Sequence, residues 1–337
     1  MLAFLSALGG VALILFGIRF LRKGLDKIVG LRLSVWVGRL TGGPCRTAAV
    51  GIGLGLVSPS SSSQGLLAVS LVRDGLLPPA RAILLLMGAY VGATLLLHVV
   101  AFDLVEQAPI GLLIGVALFQ GTKASMSRGV GQVIVAVSLV LIGVGIVGRL
   151  TSGFKDAEDA RTLAEIASGY PLLAAALAMA AAAMFQSSTA ALAVVIGLAL
   201  QDGALASSGM TVACVAGANV GLSAIAVVAS WSDVPARRFV LVVLLSRALA
   251  ALAALSFITV VSGWVEALPG GAAQRVAWFH TAFNLAALLV VLPTAGFSHA
   301  LVERLVKSRP NGNTIEPLAI DVRYADDPGL AFAQTKR

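Results

Sequence analysis

Two clusters of hydroxyl and amide side chains interrupt apolar stretches of this 337-residue chain. The first, Ser58, Pro59, Ser60, Ser61, Ser62, Ser63 and Gln64, lies within LGLVSPSSSSQGLLAVSLV (54–72). The second, Gln186, Ser187, Ser188 and Thr189, lies within AMFQSSTAALAVV (183–195). Ser and Thr hydroxyls donate to an anion and offer lone pairs to a small hard cation such as sodium, and Gln adds an amide donor and acceptor. A nucleophilic role needs a base, and no His–Asp pair accompanies either cluster, so an intramembrane enzyme is the weakest reading. The structural alternative is that these hydroxyls bond back to their own helices or join neighbouring ones. Four consecutive hydroxyls beside a Pro, matched by Gln-Ser-Ser-Thr elsewhere, favour reversible binding of a small oxyanion or ion.

The surrounding elements must lie in a bilayer. The chain is 58% hydrophobic and 12% charged, with a mean hydropathy of +0.95, whereas soluble domains carry about 25% charged residues. Hydropathy predicts an all-α integral membrane protein with about seven full spans, roughly 2–20, 79–101, 106–121, 129–149, 206–230, 239–262 and 275–298. Cys45 and Cys214 form no disulfide framework, and His98, His280 and His299 are too scattered for a metal cage. The net charge of +8 sits in loops, which reads as membrane topology rather than nucleic-acid binding. No cleavable signal peptide is predicted, because the first apolar run lacks a basic leader. Segments 22–40 and 152–170 are amphipathic and are expected to lie along the interface.

Basic loops alternate if the amino terminus is outside, the carboxyl terminus is cytoplasmic, and the stretches 46–73 and 171–200 each return to the side they entered from. A continuous helix over 171–200 would run about 45 Å, against a core of about 30 Å. Two half-helices dipping to mid-membrane fit better, and Pro59 supplies the first break. Irregular backbone at that depth must line protein or a water-filled cavity. The amino end of a half-helix offers free N–H groups and partial positive charge to an oxyanion. Neither tip holds a Lys or Arg, so an anion there would lean on helix dipoles and a co-bound cation.

The halves echo one another. LILFGIRFL (13–21) matches LVLIGVGIV (139–147), Ser60 matches Ser187, RDGLL (73–77) matches QDGAL (201–205), and GAYVGAT (88–94) matches GANVGLS (217–223). Two spans separate the first helix from its partner, so the copies enter from opposite faces. Inverted repeats with broken helices are a secondary-transporter architecture. The expected organisation is a first repeat over 1–121 with its hairpin at 46–73 and an inverted second repeat over 122–262 with its hairpin at 171–200. A further span over 263–307 and a polar cytoplasmic tail over 308–337 follow. Supporting candidates are Thr94 and Ser223 at matched places, and His280 with Asn284 at i, i+4 spacing. Asp74 and Asp202 each precede a Gly and are expected to cap turns. Arg247, inside the sixth predicted span, needs a partner or a snorkelling position.

QSST (186–189), GANVG (217–221), WFHTAFN (278–284) and the opening GGVALILFGIRFLRKGLDKI (9–28) resemble the type II sodium/phosphate cotransporter family, over about residues 5–300. The resemblance implies sodium-coupled transport of inorganic phosphate, with the hairpin tips as substrate and ion site. It carries over to Gln186, Ser187, Ser188 and Thr189, with Thr in place of the third Ser, and to Ser60, Ser61 and Ser62. Asn219 is retained from the Gly-Ala-Asn element. In the first copy Pro59 replaces the Gln and Tyr90 replaces the Asn; Gln64, about one turn on, could restore an amide. Many family members continue into a cytoplasmic PhoU-like domain, whose entry DPGLAFAQTKR (327–337) resembles; the resemblance here is without that domain, which the protein either lacks or carries beyond residue 337. The expected partners are phosphate, sodium as coupling ion and the lipid bilayer, with no cofactor and no nucleic acid; a homodimer stays open. The location implied is the cell (inner) membrane. Another small oxyanion, export, another coupling ion, or a non-transporting scaffold or sensor remain alternatives.

Overall fold

The computed structural model describes residues 2–29, 42–57, 61–73, 75–152, 169–201, 207–231 and 233–307. The chain forms two compact units, Met1–Leu305 and Val306–Arg337, and every helix described here belongs to the first. The tail beyond Lys307, most of the predicted interfacial segment 152–170, and residues 30–41 of the other one lie outside the described residues, as do Ser60, Asp74 and Asp202.

Thirteen helices and no strand occur among the described residues. They are α1 (Leu2–Val29), α2 (Pro44–Val57), α3 (Ser61–Arg73), α4 (Pro79–Ala93), α5 (Leu95–Ala101), α6 (Ala108–Gly121), α7 (Ser125–Ser152), α8 (Pro171–Phe185), α9 (Ser188–Gln201), α10 (Ser208–Ala229), α11 (Val234–Ser256), α12 (Ile258–Glu266) and α13 (Ala272–Leu305). Local chemistry sets many of the starts. Pro lies in the first turn of α4, α6, α8 and α11, where its fixed φ suits a helix and its missing N–H costs nothing. Ser207 Oγ accepts from Met210 N (3.3 Å) and Asp233 Oδ1 from Ala236 N (3.1 Å), capping α10 and α11.

Six helical stretches are long and apolar enough to cross a membrane: Leu5–Leu25, Pro79–Ala101, Ser125–Arg149, Ser208–Val228, Val234–Ser256 and Ala272–Leu305. The predicted span 106–121 is instead the 14-residue α6, about 21 Å long and short of the core thickness. Asp103, at φ 53°, turns the chain after α5, and Pro109 restarts it inside the expected span. Large apolar side chains such as Leu113, Leu172 and Phe297 face outward, while Gln64, Thr94, Gln132, Asn219, Arg247, His280 and Asn284 are buried. A polar interior inside an apolar shell is the arrangement a bilayer demands. The chain is a multi-pass membrane protein.

Small residues let the helices approach closely. α1 packs on α7, α2 on α4, and α8 on α10. A Cβ on Gly88 or Gly92 would collide with the carbonyl oxygens of Ala48 or Ile52, and one on Gly217 or Gly221 with those of Ala175 or Met179. The glycines are related by an offset of 129 and their partners by 127, so two contacts of one half recur in the other. Between α1 and α7, a Cβ on Gly10 would meet Gly143 O at 2.9 Å and one on Gly17 would meet Ala136 O at 2.9 Å. With the offset of 126 that relates these helices, each contact is the image of the other.

Candidate functional site

Each Ser-rich cluster falls at a helix break. α2 ends at Val57 and α3 begins at Ser61; Ser61, Ser62 and Ser63 form the first turn of α3, and their side chains lie outside the described residues. The second break is described atom by atom. α8 ends at Phe185, and Gln186 adopts a left-handed conformation, φ 53° and ψ 32°. Its N–H donates to Ala183 O (3.3 Å), and the Ser187 N–H donates to Ala182 O (3.1 Å). These bonds satisfy the last carbonyls of α8 in the manner of a Schellman turn. Ser187 then caps α9, its Oγ accepting from Ala190 N at 3.1 Å. The hydroxyl proton stays available to donate, and among the described residues no backbone carbonyl accepts from the Ser188 or Thr189 N–H. Half-helices of 15 and 14 residues reach only about 22 Å each.

This tip opens onto a cavity of about 130 Å³. Gln186, Ser187, Ser188 and Thr189 line one wall, and Tyr90 and Ala93 of α4, His280 and Asn284 of α13, Arg247 of α11, and Arg19 and Arg22 of α1 supply the rest. Among the described residues no acidic side chain lines it. Donors therefore dominate: backbone N–H groups at a helix start, hydroxyls, amides and guanidinium groups. Such a set holds an oxyanion.

Arg247 is only 1% exposed. Its Nη2 donates to Asn284 Oδ1 at 2.6 Å and its Nη1 to Ser223 Oγ at 3.1 Å, with Asn219 O at 3.5 Å. Its guanidinium carbon lies 3.9 Å from the centroid of the Tyr90 ring, a cation–π contact worth about 2 kcal/mol when desolvated. Every one of these partners is neutral, and Nε is buried without an acceptor. A buried charge stripped of its counter-ion typically costs about 3–5 kcal/mol, and among the described residues no acidic side chain pairs with Arg247. His280 Nδ1 and Asn219 Oδ1 are likewise buried without partners.

The cavity thus gathers Gln186, Ser187, Ser188, Thr189, His280 and Asn284 from the sequence-predicted set. Asn219 and Ser223 stand behind it, reaching it through Arg247. Thr94 belongs elsewhere: with Nε2 protonated, His98 donates to Thr281 Oγ1 (2.9 Å), Thr281 donates to Thr94 Oγ1 (2.8 Å), and Thr94 donates to Val91 O (2.7 Å). Gln64 is buried in α3 and is not a lining residue. The sequence places no Lys or Arg in either tip; Arg247, from a helix about sixty residues downstream, lines the same cavity as the second one. A lone Arg in an apolar span was the available signal. In the sequence Tyr90 reads as a lost amide, and Arg19 and Arg22 carry no site signal.

Comparison with known proteins adds independent observations. Residues 13–149 match the family described as Na+/Pi-cotransporter. The whole chain aligns at 28% identity over 339 residues with a Salmonella typhimurium (strain LT2) protein provisionally named inorganic phosphate export protein YjbB. The protein of the same name in Escherichia coli (strain K12) aligns with the same identity and length. Both alignments cover 62% of the relative, so the chain spans less than two thirds of their length. A Bacillus subtilis (strain 168) protein, "Uncharacterized protein YqeW", is 26% identical over 313 residues, covering 88% of this chain and 97% of the relative. No solved structure matches.

Proposed function

We propose, from the match of residues 13–149 to the Na+/Pi-cotransporter family, that this chain moves inorganic phosphate across the membrane by alternating access. Phosphate occupies the cavity at the α8–α9 tip. The observation that carries this reading is the conjunction of N–H groups at Ser188 and Thr189, the Ser187 hydroxyl and Arg247 around one acid-free cavity. Phosphate offers oxygen acceptors and negative charge to match.

In this reading α2–α3 and α8–α9 are re-entrant hairpins of two inverted repeats, and the first tip, Ser60 to Ser63 with Gln64, completes the pathway during the transport cycle. The recurring glycine contacts and the mutual contacts of α1 and α7 support that arrangement. The cavity reaches Arg19 and Arg22 of α1, whose basic end is cytoplasmic if the positive-inside rule holds.

Direction and coupling admit two readings. Sodium-driven uptake follows from the family resemblance, with the Ser and Thr oxygens of the tips as ion ligands. Export is favoured by the names of the YjbB relatives and by a basic cavity mouth on the expected cytoplasmic side. Both readings are tested by reconstituting the purified chain in liposomes and following labelled phosphate under imposed phosphate and sodium gradients. Flux that is lost in Gln186→Ala and Ser188→Ala supports transport through this cavity. A folded wild-type protein giving no flux in either direction would refute it.

A further inference from the structure

We infer that Arg247 is a fixed countercharge that lets the cavity bind phosphate without a co-bound sodium ion. This deepens the proposed phosphate site and rests on it. In a tip without Lys or Arg, an oxyanion needs a mobile cation beside it for neutralisation, and that need is a physical basis for obligatory coupling. Here the cation is built into the protein. Arg247 is held by Asn284 Oδ1 (2.6 Å), Ser223 Oγ (3.1 Å) and the Tyr90 ring (3.9 Å). These partners orient it and leave its charge intact. Its Nε has no acceptor although it is buried, and the residue lines the cavity together with the tip. Asn284 and Ser223 present oxygen to the guanidinium, which withdraws those oxygens from any metal ion.

The first half of the chain points the same way. Tyr90 occupies the position equivalent to Asn219. Replacing an amide there removes an oxygen that sodium could use and supplies a π face over which a guanidinium is stable. A sodium ion entering this cavity would also meet the like charge of Arg247, with Arg19 and Arg22 at the same cavity. Among the described residues no acidic cluster offers it compensation.

The test is phosphate binding and flux measured on the same purified protein with sodium present or replaced by choline. The expected result is a phosphate Kd that differs less than about two-fold between the two salts, and flux that persists in choline. Arg247→Gln should weaken phosphate binding by about ten-fold or more in choline, with sodium restoring part of it, while Arg247→Lys should fall between. The wild-type comparison decides the matter even if Arg247→Gln does not fold. Phosphate binding or flux that appears only with sodium overturns the inference and leaves the phosphate site standing. Absence of phosphate binding in both salts, in folded protein, overturns the inference and the underlying reading together. Equal Kd values for wild type and a folded Arg247→Gln also overturn it.

Discussion

The Arg247 guanidinium lies 3.9 Å from the centroid of the Tyr90 ring, and Tyr90 holds in the first half of the chain the place that Asn219 holds in the second. Asn219 turns its amide back to its own helix, donating to Val215 O at 2.8 Å, while its backbone carbonyl faces Arg247 at 3.5 Å. One guanidinium is thus flanked by the two residues that differ between the matched motifs GAYVGAT (88–94) and GANVGLS (217–223) at their third position. They now carry different chemistry, an aromatic face on one side and a polar backbone on the other.

Removing the face should cost stability. Tyr90→Phe keeps the ring and should unfold within a degree or two of wild type, whereas Tyr90→Leu should lose about 1–2 kcal/mol. Thermal unfolding in detergent measures both. Equal midpoints for Leu and Phe would mean that the ring contributes volume only.

Ser187 has two jobs that can be separated. Ser187→Ala loses the cap to Ala190 N and should cost about 1 kcal/mol. Ser187→Asp keeps the cap, so it should remain near wild-type stability, yet its carboxylate would sit at the cavity and should reduce phosphate flux by at least about ten-fold through like-charge repulsion. Unfolding midpoints and labelled phosphate flux on the two variants check this. An active Ser187→Asp would place the anion elsewhere.

The close helix contacts predict a matched pair of sensitive glycines. Gly88→Ala and Gly217→Ala each push a methyl group into a facing carbonyl and should each destabilise by about 1–3 kcal/mol or more. Gly53→Ala and Gly65→Ala, where a Cβ meets nothing within 4 Å, should be tolerated. Comparing yield and unfolding midpoint across the four variants tests whether the two halves share this packing.

A structural polar group should behave differently from a site group. Gln132, 1% exposed, accepts from Lys27 Nζ at 2.7 Å and donates to Phe20 O at 3.0 Å, tying α7 to α1. Gln132→Ala leaves these groups unpaired and should cost about 1–3 kcal/mol, with the phosphate Kd of the folded fraction unchanged. Calorimetric titration with phosphate beside a thermal melt distinguishes the two effects.

The parts of this molecule legible in the sequence are those set by local chemistry. The end of α8 at Phe185 and the start of α9 at Ser188 follow from a run of hydroxyls that compete with helical hydrogen bonds, as does the start of α3 at Ser61. Six of the predicted spans follow from hydropathy alone and recur as long apolar helices; 106–121 recurs as an apolar helix of only 14 residues, because Pro109 sits in its first turn and composition does not reveal where a helix starts. The site was half legible. Gln186 to Thr189, His280 and Asn284 announced themselves by type and spacing. Arg247 announced only that it needed partners. Those partners, Tyr90, Ser223 and Asn284, come from three other helices, and a single sequence carries no signal of which helices meet. The same limit hid the place of Arg19 and Arg22 in the lining of this cavity.

The central claim, that phosphate binds in the cavity at the α8–α9 tip, is tested most directly by protection of a cysteine placed there. Thr189→Cys would be introduced with the exposed Cys45 replaced by Ser and the buried Cys214 by Ala, and its reaction with a small thiol reagent timed against phosphate concentration. The account predicts that phosphate slows the modification with the same concentration dependence as it saturates flux. A modification rate indifferent to phosphate, in a variant that still transports it, would contradict the account.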